Sequence, residues 1–422
     1  MITSERIENL RMGFADHLRE GVLRFWLDHG LDERGGFWER LDRRGSPLLH
    51  QSGLKRRLWR WAGEPKSLIH QSRMTWAFAA AYAFTRLPEY RAAAEHGFVF
   101  LRERMYDPDY GGWFWLVSQS GRPRVPDKHL LGQSFAMYAM TQLASILHDP
   151  RALELARHTS ETIERHAHDA TNLGYFQAFT QNWQPSSRDQ IGMRPGQKSL
   201  NVHQHLLEAF TLLYSETKDF AVRQQLEEVL GICLNRIVDP RLGCSRARFD
   251  PDWTSLDKET SHGHNIELAH LLLRAAEVLG RPRDRRVAEV ATALGRHVVR
   301  FGFDRQSGGV FDDGPLDEPA AVQPKLWWVQ AEALVGFLAL FRLNREPVFW
   351  TCFEETWKWV RTRQVDAEFG EWYERVGPEE LTKTIRSSPW KDAYHNTRAC
   401  IEVVRYLQDL ATHLPTGEPL ES

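Results

Sequence analysis

Three stretches of the chain set histidine, acid, amide and cation into segments that otherwise read as apolar helix. The first is Asn201-Val202-His203-Gln204-His205-Leu206-Leu207-Glu208. On a helix, residues at i, i+4 and i+7 share a face, so Asn201, His205 and Glu208 line up while His203 points away from His205. The second is Ser261-His262-Gly263-His264-Asn265-Ile266-Glu267, in which His264 and Glu267 lie one turn apart and can hydrogen-bond. The third, from Trp390 to Arg398, combines an aromatic platform, the cations Lys391 and Arg398, and His395 at a helix start. Histidine titrates near neutral pH and both gives and takes protons there, so three such clusters on buried helices point to acid–base chemistry.

Other chemistries lack their residue patterns. The two HxH pairs do not form a metal site, because positions i and i+2 on a helix diverge. There is no HExxH, and Cys233, Cys244, Cys352 and Cys400 are scattered without CxxC spacing. GxSxG, GxxxxGK[ST] and GxGxxG are absent, which leaves nucleophilic hydrolysis and nucleotide binding without a motif. The expectation is therefore an enzyme with neither metal nor cofactor. With 54 basic and 56 acidic residues and a net charge of -2, the chain offers no patch for nucleic acid or an anionic membrane. No apolar run reaches membrane-spanning length, the start lacks a secretory pattern, and unpaired cysteines suit the cytoplasm. The 16 Trp serve either a large core or a pocket whose flat walls suit sugar rings. The expected partner is a small molecule, and the assembly a monomer or homodimer.

The elements that position these clusters repeat. An Asp followed by a short polar stretch, one or two Gly and a brief extended run recurs at Asp32, Asp107, Asp169, Asp239, Asp304 and Asp366, at intervals of 75, 62, 70, 65 and 62 residues. Each interval reads as helix, turn, helix. The first helix has Ser4 as its cap and Ile7, Leu10, Phe14, Leu18, Val22 and Phe25 on one face. Thr75 to Phe84, Gln133 to Leu147, His203 to Thr217, Asn265 to Leu279, Gln330 to Leu343 and Thr397 to Leu410 are apolar on most sides and read as inner helices. Segments 91–104, 151–166, 220–237, 283–301 and 347–363 are amphipathic and read as outer ones. Strand-like residues occur only in the repeat loops. Six such units predict an all-α closed (α/α)6 barrel of six helical hairpins with short β-ribbon loops, rather than an open solenoid. Residues 1–422 form one domain in this reading, with a mobile tail over 412–422 and a rim or lid loop from Gly53 to Pro65.

SHGHNIELAHLLL, KLWWVQAEALVGFL, GEWYERV and PWKDAYHNTRACIEV resemble signatures of the N-acylglucosamine 2-epimerase superfamily, nearest to its cellobiose and mannose 2-epimerases, over most of the chain from Gly35 to Arg398. The resemblance independently implies the (α/α)6 barrel. It implies general acid and base roles for His264 and His395, ring opening and positioning by His205, and an oxygen-holding role for Arg73. Asn201, Glu267, Trp327 and Trp390 fall in its substrate-binding set, and the neighbouring Trp328 and Lys391 are further candidates for substrate binding. The reaction implied is 2-epimerisation of an aldose through an enediolate, the sugar being mannose, glucose or a disaccharide such as cellobiose. An aldose–ketose isomerase of the mannose isomerase type would use the same histidines, and a glycoside hydrolase on the same barrel would need a free carboxylate pair. The chain departs from the cellobiose type at Leu131, where an aromatic is usual, and at His262, which the resemblance sets at the pocket rim. A monosaccharide is thus at least as good a candidate substrate.

Overall fold

The computed structural model describes residues 2–48, 63–377 and 387–412. Six inner helices run Leu68–Thr85, Leu130–Leu147, Leu200–Thr217, His262–Val278, Trp327–Asn344 and Tyr394–Thr412. Their outer partners begin with Ser4–Asp16, which continues through a π-helical stretch His17–Leu23 into Arg24–His29. The other five are Pro88–Phe100, Pro150–Ala167, Phe220–Ile232, Arg285–His297 and Pro347–Trp359. Each inner helix packs against the next, and the sixth packs back on the first, so the ring is a closed (α/α)6 barrel rather than a solenoid. The N-terminal helix covers the sixth inner helix, which ties the two ends of the chain together at the seam.

The hairpins turn tightly for a local reason. Arg86, His148, Lys218 and Arg345 follow inner helices in the left-handed region, with φ of 62°, 53°, 54° and 61°. Pro88, Pro150 and Pro347 then open the outer helices at a position where the missing N–H costs nothing. The inner helices start three to seven residues before the apolar pattern does, at Leu68 rather than Thr75 and at Tyr394 rather than Thr397. Their first turns carry polar residues, and these break the hydrophobic period. The cap of the first helix is Thr3, whose side chain accepts from the Arg6 N–H at 3.2 Å, and not Ser4.

The repeated Asp residues organise the loops between hairpins. In all six, one Asp oxygen accepts backbone N–H bonds from the following turn, as at Asp107 from Asp109 (3.0 Å) and at Asp304 from Gln306 (2.9 Å). The carboxylate also meets a cation: Lys66, Lys128, Lys198, Arg246, Lys325 and Arg43 lie 2.7 to 2.9 Å from Asp32, Asp107, Asp169, Asp239, Asp304 and Asp366. Four of these cations are lysines just before an inner helix. Each pair therefore ties a loop to the helix that follows.

An amide or its substitute near the start of each inner helix then pins the loop ribbon. Gln71, Gln133 and Gln330 each accept an N–H and return a donor to one loop residue, respectively Phe37, Trp113 and Val310. In the third repeat His203 takes this place. Its Nδ1 donates to the Ser199 carbonyl (2.7 Å), and its Nε2 accepts from the Tyr175 N–H (3.0 Å). Asn265 does the same for Ser245, and Asn396 reaches Glu371, which holds the Trp372 N–H.

Burial keeps many of the histidines neutral. It pushes His17 and His203 down to about 4, and His70, His262, His264 and His395 down to about 3. An unfolded histidine titrates near 6.5, so below that pH the unfolded chain binds more protons than the folded one. Stability is therefore full above pH 6.5 and falls as pH drops toward 4. Urea midpoints measured from pH 7.5 to 4.5 should decline throughout that window. In a His203→Gln variant, which keeps the loop pin, the loss between pH 7.5 and 5 should be smaller by about 2 kcal/mol.

Candidate active site

A cavity of about 260 Å3 opens at the N-terminal ends of the inner helices, lined by Arg73, Leu131, Asn201, His205, His264, Glu267, Leu326, Trp327, Trp328, Glu374, Arg375, Trp390 and His395. The pinning positions Gln71, Gln133, His203, Asn265, Gln330 and Asn396 set a common register. Two residues further on, each helix turns its next side chain toward the barrel axis. Those six are Arg73, Phe135, His205, Glu267, Glu332 and Arg398. Around the ring, the Arg73 guanidinium lies 4.1 Å from the Phe135 ring centre, and Phe135 packs on the His205 ring at 4.5 Å.

Arg398 is the hub of the opposite arc. It pairs with Glu208, Glu267 and Glu332, the last at 2.7 Å, and donates to the Tyr394 hydroxyl. The second Glu208 oxygen faces His205 Nδ1 at 3.1 Å. Glu332 Oε1 lies 2.6 Å from His395 Nδ1, and its Oε2 lies 2.8 Å from His270 Nε2. Burial alone would raise Glu208 and Glu332. The Arg398 charge and the facing histidines instead hold Glu208 down at about 2 and Glu332 well below its ordinary value. An ionised carboxylate only accepts, so His395 carries its proton on Nδ1 and keeps a lone pair on Nε2. Glu267 differs: burial and the nearby Glu332 push it up to about 7, and Gln204 donates to its Oε2 at 2.6 Å.

His264 stands against Trp328, with ring centres 4.9 Å apart, and His395 lies 5.8 Å from the same indole. The His264 ring has no hydrogen-bond partner among the described residues. Burial lowers both imidazoles to about 3, so both are neutral bases at pH 7. Arg73 donates to the Trp390 carbonyl at 3.5 Å, and its nearest carboxylate, Asp392, lies 3.8 Å away. Trp390, 43% exposed, stands at the mouth, while Trp327 is buried in the wall.

The cavity thus gathers nine of the ten expected residues: Arg73, Asn201, His205, His264, Glu267, Trp327, Trp328, Trp390 and His395. Lys391 is not among them. Its ammonium is fully buried 2.6 Å from Glu371 and between Trp26 and Trp327, so it braces the core beside the cavity. His262 is also away from the rim, packed on His297 with ring centres 5.5 Å apart, and Leu131 does line the cavity. His264 and Glu267 do not bond to each other, because Glu267 is taken by Gln204 and Arg398. The expected rim loop lies mostly outside the described residues. Glu332, absent from the sequence-based set, holds His395. Its signal is a lone acid in the apolar run WWVQAEALVGFL, at the place Arg73, His205 and Glu267 occupy in their repeats. Oxygen and nitrogen atoms of Glu267, Glu332 and His395 lie within 4.8 Å of one another, a grouping that could hold a metal ion. The Arg398 guanidinium already bonds to both carboxylates and supplies the positive charge there.

Residues 36–399 match the model of the N-acylglucosamine 2-epimerase family. The chain belongs to that family. It is 28% identical over 407 residues to the cellobiose 2-epimerase of Bacteroides fragilis, covering 94% of this chain and 99% of that one. It superposes on the cellobiose 2-epimerase of Spirochaeta thermophila with a TM-score of 0.86 at 30% identity, covering 96% and 98% of the two chains. A more distant relative is the D-mannose isomerase of Marinomonas mediterranea, 22% identical over 411 residues, covering 92% of this chain and 95% of that one. Like these relatives, the protein is an isomerase-class enzyme. No helix among the described residues is long and apolar enough to cross a membrane.

The bracing role of Lys391 is open to test. Lys391→Met leaves Glu371 charged and buried, which should cost about 3–5 kcal/mol in urea unfolding. The KM of the protein that remains folded should stay at the wild-type value.

Proposed function

We propose that the protein is a cofactor-independent carbohydrate 2-epimerase that moves a proton at C2 of an open-chain aldose such as mannose or glucose. The supporting observation is two neutral imidazoles, His395 buried and His264 partly buried, beside the buried guanidinium of Arg73 in a single small cavity. The C2 proton of an aldehyde sugar is acidic because the electron pair it leaves behind moves onto O1, giving an enediolate. His395 Nε2 takes that proton, its Nδ1–H held by Glu332. Arg73, short of a close carboxylate, meets the charge that develops on oxygen, with Asn201 beside it. The enediolate charge raises the proton affinity of His264, which takes a proton from water and delivers it to the other face of C2. His395 then gives its proton to the hydroxide left behind, so both imidazoles end neutral. The two histidines exchange roles for the reverse epimer. His205, backed by Glu208, serves ring opening, and Trp328 and Trp390 offer faces to the sugar.

Leu131 in place of an aromatic removes one stacking surface, which favours a monosaccharide over a longer substrate. The carboxylates Glu208, Glu267 and Glu332 are all engaged by Arg398, so none is left as the free acid–nucleophile pair a glycosidase needs. The four buried, unpaired thiols fit a reducing cytoplasm.

Proton NMR of mannose, glucose and cellobiose in D2O tests the proposal. Deuterium should enter C2 with the 2-epimer accumulating, and His264→Asn or His395→Asn should each lower kcat by about 10² to 10⁴. Fructose as the main product would make the enzyme an isomerase with the same bases. No exchange on any aldose by folded protein would overturn the proposal.

A further inference from the structure

Behind the cavity, Glu332 is shared. One oxygen takes the His395 Nδ1–H, and the other takes Arg398 and His270 Nε2. His270 does not line the sugar cavity. It lines a second cavity, of about 120 Å3, between the C-terminal halves of five inner helices at the other end of the barrel. There it stands near Glu208 and Arg398, with Arg274 and Glu402 further out. His270 is itself buried, and among the described residues its ring bonds only to Glu332.

Because Glu332 stays ionised, His270 must present its Nε2 proton to it. We propose that His270 is a positioning residue of the reaction, one that never touches the sugar. It works in two ways. Its bond to Oε2, with that of Arg398, stops the carboxylate from rotating, so Oε1 stays in line with His395 Nδ1 and the Nε2 lone pair stays aimed at the cavity. Its bond also draws charge from the carboxylate, which limits how strongly Glu332 pulls on the His395 proton. The proton affinity of the base is thereby set from the rear of the barrel. Small misplacements of a reacting group cost large factors in rate, so a bond two residues removed from the sugar can carry catalytic weight.

The inference rests on His395 being a base of the proposed reaction, and the experiment separates the two claims. Wild type, His270→Phe, His270→Gln and His395→Asn are compared by steady-state epimerisation and by proton NMR of 15N-histidine-labelled protein at pH 7.5. The readout is the downfield Nδ1–H resonance that disappears in His395→Asn. In His270→Phe that resonance should shift further downfield as Glu332 loses a competing donor. There kcat should fall about tenfold or more with KM unchanged. His270→Gln, which still offers an N–H to Glu332, should restore both. If folded His270→Phe keeps the wild-type resonance and kcat, or if Gln behaves as Phe does, the inference is wrong while the role of His395 stands. If His395→Asn still exchanges C2, the role of His395 falls first, and the resonance shift alone then reports whether His270 governs Glu332.

Discussion

One buried guanidinium holds this molecule together at its centre. Arg398 comes from the sixth inner helix, and its carboxylate partners come from the third, fourth and fifth. A lone charge at that depth would cost many kcal/mol, and so would three lone carboxylates. Together they satisfy one another, and in doing so they fix four of the six helices around a common point. Each carboxylate has two oxygens, and the hub occupies one of each. The remaining oxygens are then aimed by default: at His205 from Glu208, at Gln204 from Glu267 and at His395 from Glu332. The network that closes the barrel is therefore also the one that orients two of the three cavity histidines. A fold and a candidate active site are here two consequences of the same charge balance.

The sixfold repeat explains why the site sits where it does. In four of the six repeats an Asp–lysine pair ties the loop to the next inner helix, and in all six the residue at the pinning position stitches the loop ribbon down. Those tasks demand a particular side chain in each repeat, and so they vary little: Gln three times, Asn twice, His once. The position two residues on has no such duty. It points at the axis, and there the repeats diverge into Arg73, Phe135, His205, Glu267, Glu332 and Arg398. Structural symmetry supplies six converging side chains, and the freedom at that position is used to place two Arg, two Glu, one His and one Phe there.

This division also explains what could be read in advance. The barrel was legible because it is written six times, in Asp spacing and in apolar helices that must be buried on most sides. His205, His264 and His395 stood out because polar residues on such helices need a reason. Helix starts were misplaced because the first turns carry the site residues, which interrupt the apolar period. Lys391 was misread because a cation beside His395 and Trp390 looks like a ligand-binding group, whereas its sequence neighbours give no hint of Glu371, twenty residues upstream, that neutralises it. Glu332 was hidden among apolar neighbours. Only alignment of the repeats on their pinning residues shows that it shares a register with Arg73 and His205.

The electrostatics leave the buried cation Arg73 under-paired among the described residues, and that imbalance is what the proposed chemistry requires. Arg398 is paired with three carboxylates. Among the described residues Arg73 has only the Asp392 carboxylate, at 3.8 Å and beyond hydrogen-bond distance, and burial pushes that carboxyl up to about 6 despite Arg73 beside it. The Arg73 Nε has no hydrogen-bond partner among the described residues, and the guanidinium rests on the faces of Phe135 and Tyr394. Aromatic faces stabilise a cation without neutralising it. A carboxylate closed onto Arg73 would cancel its charge before substrate arrived, and the empty site would then gain nothing when an enediolate formed. With the charge held on aromatic faces, the strongest interaction available to Arg73 in the proposed reaction is with an anion that exists only part-way through it. Stabilisation withheld from the ground state in this way lowers the barrier rather than deepening the well.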